Sequence, residues 1–248
     1  MNSEMGEEKK QPKKRLLVIV IAVLIGSLVL VALSFEILRN NPHIGTTIRV
    51  ACVGDSITEG SGYPDELWMM LGADYIVHNF GVGRSTILFK SDLPYMNQTT
   101  FQKAKEFLPN VVLIMLGTND AIPNNYQHID DFVDDYRKLV RAFQALDSNP
   151  KIWLVLPPRI YNDTLGPNGT NLMQGVIPRI EQVANEMNLP VINVYEVLAG
   201  HPEYFVDGVH LNRQGVKLMV TEIYMVINCK GTNLHIYDAC TANLFKPK

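Results

Sequence analysis

Residues 16–35 read LLVIVIAVLIGSLVLVALSF, an uncharged run in which no polar position recurs at helical spacing to give it a wet face. About 20 apolar residues are what an α-helix needs to cross a hydrocarbon core about 30 Å thick, so the segment is predicted to span a membrane. Beyond it the pattern changes to short β-branched runs at 48–53, 75–79, 111–116, 152–156 and 191–194. These are apolar almost throughout, which predicts parallel strands covered on both faces. Between them Ile129, Phe132, Val133, Tyr136, Leu139, Val140, Phe143 and Leu146 recur at helical spacing. Asp130, Asp131, Asp134, Asp135, Lys138 and Arg141 stand opposite, as on a surface helix. Further helices are predicted at 64–71, 101–107, 173–187 and 212–227. Strand and helix alternate, which predicts an α/β domain: a five-stranded parallel sheet in a three-layer α/β/α sandwich with right-handed crossovers.

Composition narrows the classes. With about 40 N-terminal residues set aside, the rest of the 248 suits one domain. A chain that is 47% hydrophobic and 19% charged is neither disordered nor fibrous. Net charge is −3, and beyond residue 40 there remain 16 basic and 21 acidic residues, so a nucleic-acid partner is excluded. The three cysteines are too few for a disulfide framework or a four-thiolate metal site. Cys52 lies in a predicted strand as a buried thiol, while Cys229 and Cys240 could bridge in an oxidising compartment. Histidines at 43, 78, 128, 201 and 235 show no ligand spacing, so neither metal nor cofactor is expected.

Lys9, Lys10, Lys13, Lys14 and Arg15 precede the apolar run, and only Glu36 and Arg39 flank it on the other side. That excess predicts a cytoplasmic N-terminus and a globular domain on the luminal or extracellular side. The expected organisation is a basic tail at 1–15, a signal anchor at 16–35, a linker at 36–46 and the globular domain at 47–248. The competing reading is a cleaved signal peptide, whose apolar stretch is usually about 7–15 residues and ends in a small-x-small site. This run is longer, and its end at Ala32-Leu33-Ser34 fits that site loosely. Sequons at Asn97, Asn162 and Asn168 suit an extracytoplasmic glycoprotein.

In an open parallel sheet the ligand site lies beyond the carboxyl ends of the strands. The first run ends in Gly54-Asp55-Ser56-Ile57-Thr58, the second in Asn79-Phe80-Gly81-Val82-Gly83-Arg84-Ser85-Thr86, and the third in Gly117-Thr118-Asn119-Asp120. Asp207-Gly208-Val209-His210 stands just before the last predicted helix. A serine, a glycine turn, an asparagine amide and an Asp-x-x-His pair on one edge are the parts of a serine esterase, because serine needs a base and histidine an orienting carboxylate. Each has a plainer alternative: Ser56 as a helix cap, Asn119 and Asp120 as turn residues, Asp207-Gly208 as a turn, His210 as a surface histidine. The G-x-S-x-G elbow of the α/β-hydrolases does not occur.

These four blocks, in this order and spacing over most of residues 48–227, resemble the SGNH hydrolases, or GDSL-type esterase/lipase family. VACVGDSIT, NFGV, LGTND and DGVHLN are most similar to its compact carbohydrate O-acetylesterase-like members. The resemblance implies a flavodoxin-like α/β/α fold and ester hydrolysis through an acyl-enzyme, without metal. By the same resemblance Ser56 is the nucleophile, His210 the general base and then acid, and Asp207 the residue that orients it. The oxyanion donors would be the Ser56 N–H, the Asn119 amide and a second-block glycine N–H. Aligned without a gap, that glycine position falls on Arg84, with Gly83 one place earlier. A main-chain N–H can come from any non-proline residue, so the Arg84 guanidinium is free to meet a carboxylate on an acidic sugar at the rim.

The resemblance points to small acyl groups, acetyl foremost, on a carbohydrate. With no long apolar lid between the blocks, a lipid ester is the runner-up. Acyl transfer to a sugar, and a non-catalytic membrane-anchored binding module, complete the alternatives.

Overall fold

The computed structural model describes residues 11–40 and 47–229, in two units that divide at Thr46. The first is a single helix, α1 (Gln11–Asn40), which contains the apolar span Leu16–Ser34. Its two serines return their hydroxyls to the helix itself, Ser27 Oγ to the Leu24 carbonyl at 2.8 Å and Ser34 Oγ to that of Leu30 at 2.7 Å. No polar group in the span is therefore left to need water.

The second unit runs β1 (Ile48–Gly54), α2 (Ser56–Gly60), α3 (Tyr63–Leu71), β2 (Tyr75–Gly81), α4 (Thr99–Glu106), β3 (Val111–Met115), α5 (Pro123–Tyr126) and α6 (Phe132–Gln144). It continues through β4 (Lys151–Val155), α7 (Gly169–Asn171), α8 (Ile177–Glu186), β5 (Val191–Ile192), α9 (Val194–Val197) and α10 (Arg213–Cys229). All five strands are parallel, in the order β2-β1-β3-β4-β5, the flavodoxin-like arrangement.

The apolar runs are continuous because successive residues feed opposite cores. Ala51, Val53, Val112, Ile114, Ile152 and Leu154 pack under α4, α6 and α8 through Phe101, Phe143 and Ile180. Val50, Cys52, Leu113, Met115, Trp153 and Val155 pack under α3 and α10 through Leu67, Met219 and Ile223. These are the three expected layers.

The boundaries differ from the sequence pattern where side chains intervene. The helix expected over 173–187 begins as a π turn over Leu172–Val176, because Pro178 in the first turn of α8 has no N–H for an α-type ladder. The strand expected over 191–194 ends at Ile192, since Asn193 caps α9 by accepting the Glu196 N–H at 3.0 Å. β1 and β2 instead run on to a facing pair of glycines, Gly54 and Gly81. A Cβ on Gly54 would stand 1.9 Å from Thr58 Oγ1, and one on Gly81 2.3 Å from the Glu59 nitrogen, so only bare backbone lets α2 lie against the sheet edge. From β1 the chain adds β2 on one side and β3 on the other, and this reversal of strand order opens a crevice between the carboxyl ends of β1 and β3.

Of the three cysteines, Cys52 is a buried free thiol, pushed up to about 12 by burial. The pairing of Cys229 with Cys240 falls outside the described residues.

Candidate active site

The crevice is lined by the segments that leave β1, β2 and β3 at their carboxyl ends, and by the turn before α10. After β1 the residue that caps α2 is Asp55, whose Oδ1 accepts the Ile57 N–H at 2.9 Å. Ser56 is therefore the first helical residue, with its N–H outside the helical ladder and its hydroxyl free to act elsewhere. Burial raises the Asp55 carboxyl to about 6, against the Ile57 N–H, which favours its ionised form.

Ser56 Oγ lies 3.0 Å from His210 Nε2, and His210 Nδ1 lies 2.8 Å from Asp207 Oδ2. The other Asp207 oxygen accepts the N–H groups of Val209 and His210 at 2.9 and 2.8 Å, which closes the turn and fixes the carboxylate against the ring. Partial burial opposes the Asp207 charge, but the His210 N–H, the His210 ring and the Val209 N–H outweigh it and hold the carboxyl below its ordinary value. An ionised Asp207 only accepts, so Nδ1 carries the proton and Nε2 of the neutral ring is left to accept from Ser56. The His210 and Asp207 side chains are 40% and 34% exposed, so the site is open.

Asn119 follows β3 and is 7% exposed. Its Nδ2 donates to the Ser85 carbonyl at 3.1 Å, which spends one of two amide hydrogens. In the loop after β2, Val82 N–H donates to the Gly54 carbonyl at 3.0 Å, Gly83 N–H to Glu59 Oε2 at 2.9 Å, and Ser85 N–H to the Val82 carbonyl at 3.1 Å. The Arg84 N–H finds no acceptor among the described residues. Arg84 is exposed and has φ +67°, a left-handed conformation in which glycine is at home. A Cβ on Gly83 would stand 3.9 Å from Ser56 Cβ, so this loop runs beside the serine.

Asp120 does not line the site. It is buried, and its carboxylate accepts the N–H groups of Ile87 and Leu88 at 3.0 and 2.9 Å, anchoring the second-block loop from below. Burial pushes it up to about 7. Glu59, outside the four blocks, and Asn79, the first residue of the second, brace the same loop. Asn79 Nδ2 donates to the carbonyls of Thr58 and Glu59 at 2.9 and 3.1 Å, and its Oδ1 accepts the Gly81 N–H at 2.9 Å. Among the described residues no group of three His, Cys, Asp or Glu converges as metal ligands would.

The GDSL-like Lipase/Acylhydrolase family model matches residues 52–218, which contain all four blocks. An acetylxylan esterase of Xylanibacter ruminicola is 34% identical over 206 residues, spanning 73% of this chain and 43% of that protein. A GDSL esterase/lipase of Oryza sativa subsp. japonica is 20% identical over 147 residues, spanning 51% of this chain and 56% of its own. The chain thus spans about half the length of the curated relatives it matches. Among solved structures, the inhibitor-bound M. Smegmatis aryl esterase superposes with TM-score 0.62 at 19% identity, covering 73% of this chain and 98% of that one. A carbohydrate acetylesterase family member from Sinorhizobium meliloti does so with TM-score 0.58 at 22% identity, covering 73% and 97%. With its five-stranded parallel sheet and the family's motif blocks brought together at one sheet edge, the chain belongs to the GDSL-like lipase/acylhydrolase family.

Proposed function

We propose that this protein is a serine esterase that removes small acyl groups, acetyl foremost, from carbohydrate. The observation that carries the reading is the Ser56–His210–Asp207 relay, with contacts of 3.0 and 2.8 Å, at the mouth of the crevice. Ser56 Oγ attacks the ester carbonyl carbon while His210 Nε2 takes the hydroxyl proton, and Asp207 holds the resulting imidazolium. Negative charge gathers on the carbonyl oxygen, where the N–H groups of Ser56 and Arg84 and the free Asn119 amide hydrogen receive it. Collapse breaks the bond to the sugar oxygen, which leaves with the proton from His210. Water, deprotonated by His210, then attacks the acyl-Ser56 carbonyl and releases the acid.

Carbohydrate is favoured by the 34% identity to an acetylxylan esterase and by the openness of His210, which leaves room for a bulky alcohol outside the protein. The apolar α1 span is read as a retained anchor, with the esterase domain on the extracytoplasmic side. Asn97 and Asn162 are exposed and open to glycosylation there, whereas Asn168 spends its amide on Asp163 Oδ2 at 2.8 Å.

The test is the intact mass after a fluorophosphonate probe, together with turnover of 4-nitrophenyl acetate and an acetylated xylan. One phosphonyl adduct, absent in a folded Ser56→Ala protein that has lost turnover, is expected. Near-normal turnover by Ser56→Ala would overturn the reading.

A further inference from the structure

The contact between Glu59 and Gly83 takes no part in the acyl-transfer steps. It joins the helix that carries Ser56 to the loop that carries Arg84. Glu59 stands one helical turn after Ser56, its own N–H bound to the Asp55 carbonyl at 2.9 Å. Its Oε2 takes the Gly83 N–H at 2.9 Å. Its main-chain carbonyl takes Asn79 Nδ2 at 3.1 Å, and the Gly81 backbone lies against its nitrogen. The loop is thus laced to α2 at several points, but the Glu59 carboxylate is the only side chain of α2 that holds it beyond Gly81 among the described residues. The next N–H along is that of Arg84, without an acceptor among the described residues and in a left-handed backbone.

We infer that Glu59 is a positioning residue for the oxyanion site: by binding the Gly83 N–H it withdraws that donor and turns the Arg84 N–H toward the Ser56 acyl centre. This rests on the serine-esterase reading and deepens it. A left-handed arginine costs about 1 kcal/mol relative to its ordinary conformations, and a charge-assisted bond on the preceding residue is strong enough to hold it. Glu59 does not touch substrate. Losing it would disorder one oxyanion donor and leave the Ser56–His210–Asp207 relay intact.

The test compares Glu59→Ala, Glu59→Gln and Glu59→Asp in the full-length protein, with 4-nitrophenyl acetate kinetics, the fluorophosphonate inactivation rate and Tm. Gln reaches Gly83 with a neutral acceptor, whereas Asp keeps the charge but is one methylene short. Ala and Asp should lower kcat and the inactivation rate by about 10- to 100-fold, a partial loss of one oxyanion donor, with KM within about twofold. Gln should restore most of both. Should Glu59→Ala fail to fold, the Gln and Asp pair decides alone. Unchanged kcat in a folded Asp or Ala variant would overturn the inference, as would a loss in Gln equal to that in Ala. An effect on Tm without one on either rate would reduce Glu59 to a structural tie. Failure of the esterase reading is distinguished by Ser56→Ala, which would then keep its turnover.

Discussion

Replacing Asn119 by alanine separates two tasks that one side chain performs. The first is structural: Nδ2 donates to the Ser85 carbonyl at 3.1 Å, in a loop where Ser85 is fully buried. Removing the donor strands that carbonyl, which costs about 1–3 kcal/mol. For a domain of this size each kcal/mol lowers Tm by about 2–4 °C, so a fall of about 2–12 °C is expected. The second task is chemical. If the remaining amide hydrogen meets the oxyanion, its loss lowers kcat by about 10²–10³-fold, the range for one such donor. The two are read apart by measuring kcat on 4-nitrophenyl acetate well below the variant's Tm, at a folded fraction fixed by circular dichroism. Asn119→Asp, of equal size but with no donor when ionised, should be as slow as alanine. A kcat within about threefold of the parent, alongside the expected fall in Tm, would refute the oxyanion role and leave Asn119 as a brace for the Ser85 loop.

Stability should depend on pH through two of the buried aspartates, Asp55 and Asp120. Burial raises Asp55 to about 6 and Asp120 to about 7, so the folded chain holds protons that the unfolded chain releases near pH 4. The folded state therefore binds more protons across that interval, and stability falls as pH rises from about 4 to 7, then levels. Asp207, held low, acts in the opposite sense and withdraws its contribution only as pH falls below about 4. Asp120→Asn, whose oxygen can still accept from Ile87 and Leu88, should flatten the slope of Tm against pH between 5 and 8 (about one unit to either side of the shifted values). An unaltered slope would remove Asp120 as its source. Arg84→Gly should keep the left-handed backbone without strain and leave aryl acetate turnover within about threefold, while kcat/KM on an anionic acylated sugar drops by about 1.5–3 kcal/mol. Equal losses on both substrates would argue against carboxylate recognition by the guanidinium. Carbonate extraction of membranes should leave the full chain in the pellet, and a soluble chain beginning after about residue 35 would show instead that the apolar segment is a cleaved signal.

The strands were legible because parallel strands between two helical layers must be apolar on both faces, as Val50–Val53 are. Ser56, Asn119, Asp207 and His210 could be picked out because each sits at a strand end or just before the last helix, where apolar patterning stops abruptly. What the pattern hides is decided by single contacts. The five residues of α2 form no periodicity and depend on the Asp55 cap. Asn193 halves β5 by capping α9, a choice between two local hydrogen bonds. Glu59 and Gly83 are 24 positions apart, so their pairing has no local signature. A positive φ at Arg84 runs against residue preference and is imposed by the surrounding loop.

Ser56 and His210 are 154 residues apart in the chain, one at the end of the first strand and the other beyond the last. On the proposed mechanism the hydroxyl is an ordinary alcohol until the Asp207–His210 turn docks, and that turn is among the final parts of the domain to leave the ribosome. A nascent or misfolded chain thus carries no armed nucleophile, and covalent capture by a phosphonate becomes a reporter of completed folding.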